Sequence, residues 1–359
     1  MEKKILITGG AGFIGSHTAV ALHQHGYTPV IVDNFVNSER LIIEKIQEIC
    51  QKDFPNYEGD CADQAFLKHV FEKEDKIAGV IHFAAYKSVK ESNQFPIKYY
   101  RNNLGSLFTL LNVMKEQKEP KLVFSSSCTV YGSPDVIPVT EDATFNETPS
   151  TYGKTKQLSE TIMEDVISKG VDIKSVFLRY FNPIGAHPSG LLGELPIGIP
   201  ENLVPFITQT ACGLREKLTV FGSDYQTPDG TCIRDYIHVL DLAEAHIWAF
   251  EYLEQNPECK LEKINIGTGQ GHSVLEIIKI FERVSGQKLN YVIGERRDGD
   301  VEAVYASASR ARQLLKWQTK LTIEDAIRDA WHWQQCLQKS ARNKKKLPHK
   351  LKDRKAGND

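Results

Sequence analysis

The 359-residue chain predicts an α/β fold, a doubly wound parallel sheet with a smaller α/β domain after it, on three observations. Short apolar runs alternate with long amphipathic stretches through the first half, which is the pattern of strands joined by crossover helices. A glycine-rich turn, Thr8-Gly9-Gly10-Ala11-Gly12-Phe13-Ile14-Gly15, follows the first apolar run directly. After Phe181 the texture changes: Pro183, Gly185, Pro188, Gly190, Gly193, Pro196, Gly198 and Pro200 crowd twenty residues, too many breakers for the repetition to continue.

Taken in order, residues 3 to 8 read as a short buried strand and the segment from Phe13 to His25 as a helix, so the glycines lie on the strand-to-helix turn. Gly9 permits the tight turn, Gly12 allows close approach of an anion to the backbone, and Gly15 allows the helix to pack on the sheet. The N–H groups opening the helix favour a pyrophosphate there. A second strand, 29 to 33, ends in Asp33, eighteen residues after Gly15, where a carboxylate meets the ribose of an adenosine. Asp33 favours NAD over NADP, because a 2'-phosphate beside it would meet like charge. The competing reading of Asp33 is a solvated surface turn.

Further strands are expected at 54 to 58, 78 to 83, 121 to 124 and 173 to 179, with helices near 38 to 51, 63 to 74, 94 to 118 and 150 to 169. The first domain is placed at 1 to 184 and the second mainly at 185 to 338. Later strand-like segments at 233 to 239 and 263 to 266 are candidates to return to the first domain. Residues 339 to 359 hold nine Lys or Arg against two Asp, so this tail carries +7 and the body before it −9. The tail reads as disordered, with contact to polyanions as the competing reading, and an acidic body argues against nucleic-acid binding.

A hydrophobic content of 41% and a charged content of 25% are ordinary for a soluble enzyme. Met1-Glu2-Lys3-Lys4 leads straight into the first strand, and no apolar stretch approaches spanning length, so no membrane association and a cytoplasmic location are expected. Seven dispersed cysteines, without a C-x-x-C pair or a histidine at ligand spacing, predict neither disulfide nor metal.

On the helix near 150 to 169, Tyr152 and Lys156 are four residues apart and share a face. A phenol is a poor base at neutral pH, but a neighbouring ammonium and an oxidised nicotinamide both favour its phenolate. Tyr152 then takes a proton from a sugar hydroxyl as hydride leaves the same carbon, and Lys156 also binds the nicotinamide ribose. The run Phe124-Ser125-Ser126-Ser127 ends a strand ahead of that helix, where parallel sheets place ligands, and Ser127 is the expected hydrogen-bond partner of the reacting oxygen. His82 and His238 read as satisfied polar residues at strand ends rather than bases.

These motifs, with His82 to Val89, Asn102-Asn103, Ser125 to Gly132, Arg179 to Pro183 and Arg234 to Val239, closely resemble the UDP-glucose 4-epimerases, which are extended short-chain dehydrogenases/reductases. The resemblance runs from the first strand to about residue 338. It implies a Rossmann-like doubly wound parallel sheet with a smaller α/β substrate-binding domain, and reversible inversion at C4 of UDP-glucose and UDP-galactose through a 4-keto sugar, with tightly held NAD and no net oxidation. Carried over by position, it assigns to NAD the residues Gly9, Gly12, Phe13, Ile14 and Gly15; Asp33, Asn34, Phe35, Val36, Asn37 and Ser38; Asp60 and Cys61; Phe83, Ala84, Ala85, Tyr86 and Lys87; and Asn102, Ser127, Tyr152, Lys156 and Phe181. Asp60 as a helix cap and Phe181 as a core residue are the competing readings.

To the UDP-hexose the resemblance assigns Lys87, Ser127, Tyr152, Asn182, Asn202, Leu203, Thr219, Val220, Phe221, Arg234, Arg297, Asp300 and Val304. Arginine suits a diphosphate because its planar fork donates in pairs. Two positions depart from the family text. Ala85-Tyr86 stands where Gly-Leu is usual, and Val304 stands where the family has tyrosine in enzymes restricted to UDP-hexoses and a smaller residue in those that also take UDP-N-acetylhexosamines. The room left by Val304 predicts that UDP-GlcNAc and UDP-GalNAc are also substrates. The resemblance further implies a homodimer, through a four-helix contact made by the helices near 94 to 118 and 150 to 169. A 4,6-dehydratase would need an acid after the strand-end hydroxyl, and Thr129 is followed by Val130 and Tyr131. A non-catalytic NAD-sensing protein would not be expected to keep Ser127, Tyr152 and Lys156 together.

Overall fold

The computed structural model describes residues 2 to 346 apart from Asp298. β1 (Lys4–Thr8) runs into the glycine turn and α1 (Phe13–Gln24), followed by β2 (Thr28–Asp33), α2 (Leu41–Cys50), β3 (Asn56–Glu58), α3 (Gln64–Glu74) and β4 (Ile77–His82). Then come α4 (Val89–Gln94), α5 (Pro96–Met114), β5 (Lys121–Ser125), α6 (Thr151–Ser168) and β6 (Lys174–Tyr180). The second part contains β7 (Asn182–Ile184), α7 (Leu203–Ala211), β8 (Leu218–Phe221), β9 (Ile233–Arg234), β10 (Tyr236–His238), α8 (Val239–Gln255), β11 (Leu261–Ile266), β12 (His272–Ser273), α9 (Val274–Ser285), β13 (Tyr291–Gly294), β14 (Ala303–Val304) and α10 (Ile323–Lys346).

Among the described residues the main sheet has seven parallel strands in the order β3-β2-β1-β4-β5-β6-β11. Strand order reverses between β1 and β4, and ligands of open parallel sheets bind beyond the carboxyl ends of the strands at such a point. Successive side chains alternate faces, so Ile5, Ile7, Ile31 and Ile81 pack under α1, α2 and α8, while Leu6, Val30, Val32 and Val80 pack under α3, α5 and α6. Burial on both faces explains why these strands read as unbroken apolar runs.

Four expectations need correction. The helix expected near 94 to 118 is α5, which starts only at Pro96 and ends at Met114; a separate short helix, α4, precedes it, and the break falls at Phe95, at φ −129°, ψ 61°, because the residue before a proline is disfavoured in helical geometry. Of the two late segments, 263 to 266 joins the main sheet as part of β11, but 233 to 239 does not. It divides into β9, paired with β12 and β14, and β10, paired with β7. Residues 339 to 346 continue α10 instead of opening a disordered tail, as the good helix formers Lys, Ala and Arg allow, and residues 347 to 359 lie outside the described residues. The helix near 38 to 51 begins only at Leu41, because the Ser38 hydroxyl is committed to Asp33.

The smaller layer has its own core, in which Val204 and Ile207 of α7, Val220 of β8, Ile277 and Phe281 of α9, and Ile327 of α10 meet. α9 is closed at both ends: Ser273 and Glu276 form a reciprocal capping box, and Gly286 ends it at φ 68°. This layer carries β8, β9 and β14 to the mouth of the main sheet.

The glycine turn is set by contacts as well as conformation. Gly9 takes φ 71°, and a Cβ there would lie 2.9 Å from the Ala84 nitrogen. A Cβ on Gly15 would lie 2.3 Å from the Gly9 carbonyl oxygen, so Gly15 is required for packing α1 on the turn itself rather than on the sheet. Gly15→Ala is therefore expected to lower unfolding stability by about 1–3 kcal/mol, measured by urea denaturation, since backbone rather than a flexible side chain must give way.

Candidate active site

Expected cofactor-side and catalytic residues follow the carboxyl ends of β1, β2, β4 and β5 or lie at the starts of α1 and α6. At the turn after β1, Gly9 N–H donates to Val32 O at 2.8 Å, and the start of α1 has no side-chain cap. The nearest atom to a Cβ built on Gly12 is the Gly9 oxygen at 3.2 Å, which leaves its outer side open to a ligand. Uncapped N–H groups, an open Gly12 and Phe13-Ile14 in the first turn fit a pyrophosphate. Asp33 is 8% exposed and already engaged: Oδ2 accepts from Ala11 N–H at 2.9 Å, and Oδ1 accepts from Phe35 N–H and the Ser38 hydroxyl, each at 2.9 Å. The carboxylate is thus a brace for the glycine turn, and the solvated-turn reading fails. Phe35 is held at φ 55° in the same turn, Val36 N–H donates to the Asn34 side chain, and Asn37 is exposed.

Beyond β3, Asp60 is exposed and its Oδ1 accepts from Ala62 N–H, whereas Asp63 caps α3 through Ala65 and Phe66 N–H; the capping reading of Asp60 is therefore incorrect. Cys61 is buried, which pushes its thiol up to about 12. Phe83 packs on His246 at 4.6 Å between ring centroids, and Ala84, Ala85 and Tyr86 continue the loop. Lys87 is exposed and 3.4 Å from Glu194.

The loop is pinned by a residue to which sequence reasoning gave no role. Asn103 of α5 accepts from Tyr86 N–H at 2.9 Å, donates to Tyr86 O at 3.1 Å and donates to the Thr155 hydroxyl of α6 at 3.0 Å. It thereby ties the cofactor-side loop to the helix that carries Tyr152 and Lys156. Asn102, the expected contact, donates to Asn103. A second asparagine in the Asn102-Asn103 pair was the available signal.

Ser150 caps α6 by accepting from Gly153 N–H, so the first turn presents Tyr152 and the next presents Lys156. Both are almost fully buried. Lys156 Nζ donates to Ser125 O at 2.5 Å, sits 4.9 Å from the Phe124 ring centroid and lies 6.0 Å from the Tyr152 centroid. Burial pulls its pKa down to about 8, with Glu160 acting in the opposite direction. Burial pushes the Tyr152 phenol well above its ordinary value, the neighbouring Tyr180 adds to this, and the nearby Ser127 hydroxyl works against it. In the protein alone desolvation outweighs the other influences on the phenol, while the Lys156 ammonium is held by the Ser125 carbonyl.

The sugar-side residues gather on the smaller layer. Asn182 opens β7, and Phe181 before it is buried against Val130, Tyr131 and Val304. Core packing and a place at the site therefore coexist for Phe181. Asn202 precedes α7, which opens at Leu203, and its side chain donates to Glu194 at 2.5 Å. On β8, Val220 is core, Thr219 half-buried and Phe221 43% exposed. Arg234 and Arg297 converge on one acid, Asp300, at 3.6 and 2.7 Å, which makes a pair of guanidinium groups suited to a diphosphate. Val304 lies beside Arg234 in the β9–β14 register. Asp235, also without an assigned role, accepts from Thr268, Gly269 and Ala306 N–H and from the Thr268 hydroxyl, fastening the wall that holds Val304. His82 and His238 behave as expected, bonded to Thr8 and Asp329. Among the described residues no cluster of metal-binding side chains exists.

A family model described as GDP-mannose 4,6 dehydratase matches residues 6 to 330. A UDP-glucose 4-epimerase of Dictyostelium discoideum is 46% identical over 334 residues, 93% of this chain and 96% of that protein. The crystal structure of a UDP-glucose 4-epimerase from Stenotrophomonas maltophila, with bound NAD and formylated UDP-arabinopyranose, is 43% identical and superposes with a TM-score of 0.91 over 94% of this chain and all of that one. The UDP-Glc/GlcNAc 4-epimerase of Campylobacter jejuni is 36% identical, with a TM-score of 0.79 over 93% of this chain and 99% of that one. Relatives this similar over nearly the whole length narrow the broad family model, and the chain belongs to the UDP-glucose 4-epimerase family.

Proposed function

We propose that this chain is an NAD-dependent isomerase that inverts C4 of UDP-glucose and UDP-galactose, on the observation that Ser127, Tyr152 and Lys156 are packed together at the carboxyl end of the sheet beside the open glycine turn. Bound NAD supplies a reversible hydride acceptor with a positively charged ring. Tyr152 takes the proton of the 4-hydroxyl, Ser127 steadies that oxygen, and Lys156 adds positive charge at the same wall. Burial disfavours the phenolate, so positive charge from Lys156 and from a bound oxidised nicotinamide would favour proton removal as hydride leaves the same carbon. Arg234 and Arg297 anchor the diphosphate, so the 4-keto sugar turns about a fixed end before Tyr152 returns the proton.

The dehydratase alternative raised by the family model is disfavoured at one place. The short helix after Ser127, Cys128–Tyr131, presents no carboxylate to move a proton at C5 or C6.

In this reading residues 1 to 184 bind NAD and 185 to 338 mainly bind the UDP-sugar. Val304 is valine where a tyrosine would fill the space next to Phe181 and Ala306, which supports acceptance of UDP-N-acetylhexosamines. A homodimer through α5 and α6 is supported by their mutual packing and by Ile97 and Phe108, which are 80% and 48% exposed on α5. Unpaired cysteines support a reducing, cytoplasmic setting, and no helix among the described residues is long and apolar enough to cross a membrane.

Purified protein is expected to equilibrate UDP-glucose and UDP-galactose without added NAD. Tyr152→Phe should retain the dinucleotide and lose about 10²- to 10⁴-fold in kcat, followed by coupled assay of UDP-glucose; full turnover in that variant rejects the assignment. Val304→Tyr should abolish conversion of UDP-GlcNAc to UDP-GalNAc while sparing UDP-galactose, and wild-type protein inactive on both acetylated sugars rejects the wider specificity.

A further inference from the structure

Tyr152, Lys156 and Glu160 stand four residues apart on the inner face of α6. Glu160 is fully buried and its carboxylate is divided between two tasks. It accepts from Arg179 Nε and Nη2, the latter at 2.6 Å, and from the Ser126 hydroxyl. Arg179, 1% exposed, also donates to Tyr131 and to Glu141 O, each at 3.0 Å, and lies 5.1 Å from the ring centroids of Tyr131 and Phe145. Each serine of the strand end therefore has a separate role. Ser125 O holds Lys156, Ser126 holds Glu160, and Ser127 faces the phenol.

The surroundings of Lys156 contain little else that carries charge. From β4 comes His82, which burial keeps neutral by lowering it to about 3. The turn after β5 brings Cys128, and β6 brings Tyr180, both pushed up to about 12 by burial and so neutral. Tyr99 of α5, raised by burial, lies near Tyr152. Among the described residues Glu160 is the negative group that favours the ammonium, and its own carboxylate is paired with Arg179. A buried ion pair of this kind contributes little net stability, since apolar replacements of both partners are often neutral or stabilising. Its place four residues beyond Lys156 has a different consequence.

Resting on the epimerase reading, we propose that the Glu160–Arg179 pair is a positioning and charge-setting element of the active site: through Ser126 it seats the strand end that presents Ser125 and Ser127, and through its carboxylate it keeps Lys156 an ammonium. Turnover should then fall as pH rises through the Lys156 transition, near pH 8. Weakening the carboxylate moves that alkaline limb to lower pH.

The test follows wild-type NAD-loaded protein, Glu160→Gln and the double variant Glu160→Gln/Arg179→Met. Two quantities are read for each: the kcat–pH profile with UDP-galactose, and the titration midpoint of Lys156 by ¹³C NMR of its ε-carbon, assigned with Lys156→Arg. Wild-type protein that does not turn over UDP-galactose defeats the underlying reading, whereas the variants decide the inference. Glu160→Gln leaves Arg179 uncompensated and should lower both midpoint and limb by about one pH unit. The double variant removes both charges, avoids an unpaired buried cation and should lower both by less. If Glu160→Gln does not fold, the double variant decides alone. An unchanged or raised Lys156 midpoint in either folded variant overturns the proposal.

Discussion

Desolvation of Lys156 and Tyr152 is the constraint around which the site is organised. An ammonium and a phenol are enclosed together at the mouth of a parallel sheet, and enclosure disfavours the charged form of each. The protein answers the ammonium with a carbonyl at 2.5 Å, an aromatic face and a carboxylate one helical turn away. It does not answer the phenol in the same way. Tyr152 has Ser127 close by and the Lys156 ammonium 6.0 Å from its ring centroid, yet burial still holds the phenol above its ordinary value.

In the proposed function the smaller layer would meet a different need, that of holding a diphosphate while the sugar turns. Asp300 keeps Arg234 and Arg297 in one place before any anion arrives, and Asp235 fixes the loops behind them through four hydrogen bonds. Val304 is set by the β9–β14 pairing opposite Arg234 and packs with Phe181 and Ala306.

Much of this was legible in the sequence because the signals are local. Apolar runs of strand length, the glycine turn, Asp33 at a strand end and the four-residue spacing of Tyr152 and Lys156 each depend on neighbours in the chain. What was illegible depends on partners distant in sequence. Asn103 acts through Tyr86 and Thr155, Glu160 through Arg179 and Ser126, and Asp235 through Thr268 and Ala306, none of which any periodicity can pair. The weight of burial on the Tyr152 phenol was illegible for the same reason, since enclosure is built by residues distant in sequence. The split of 233 to 239 into two short strands likewise follows from pairing with β14 and β7, which lie on opposite sides of it in sequence.

The dependence of the Tyr152 phenolate on cofactor charge is open to direct measurement by ultraviolet titration of phenolate absorbance in stripped, NAD-loaded and NADH-loaded protein, with Tyr152→Phe subtracted as the blank. The account predicts a Tyr152 midpoint above the ordinary tyrosine range in stripped protein, well below that value with NAD, and intermediate or high with the uncharged ring of NADH. Equal midpoints in all three states would contradict it.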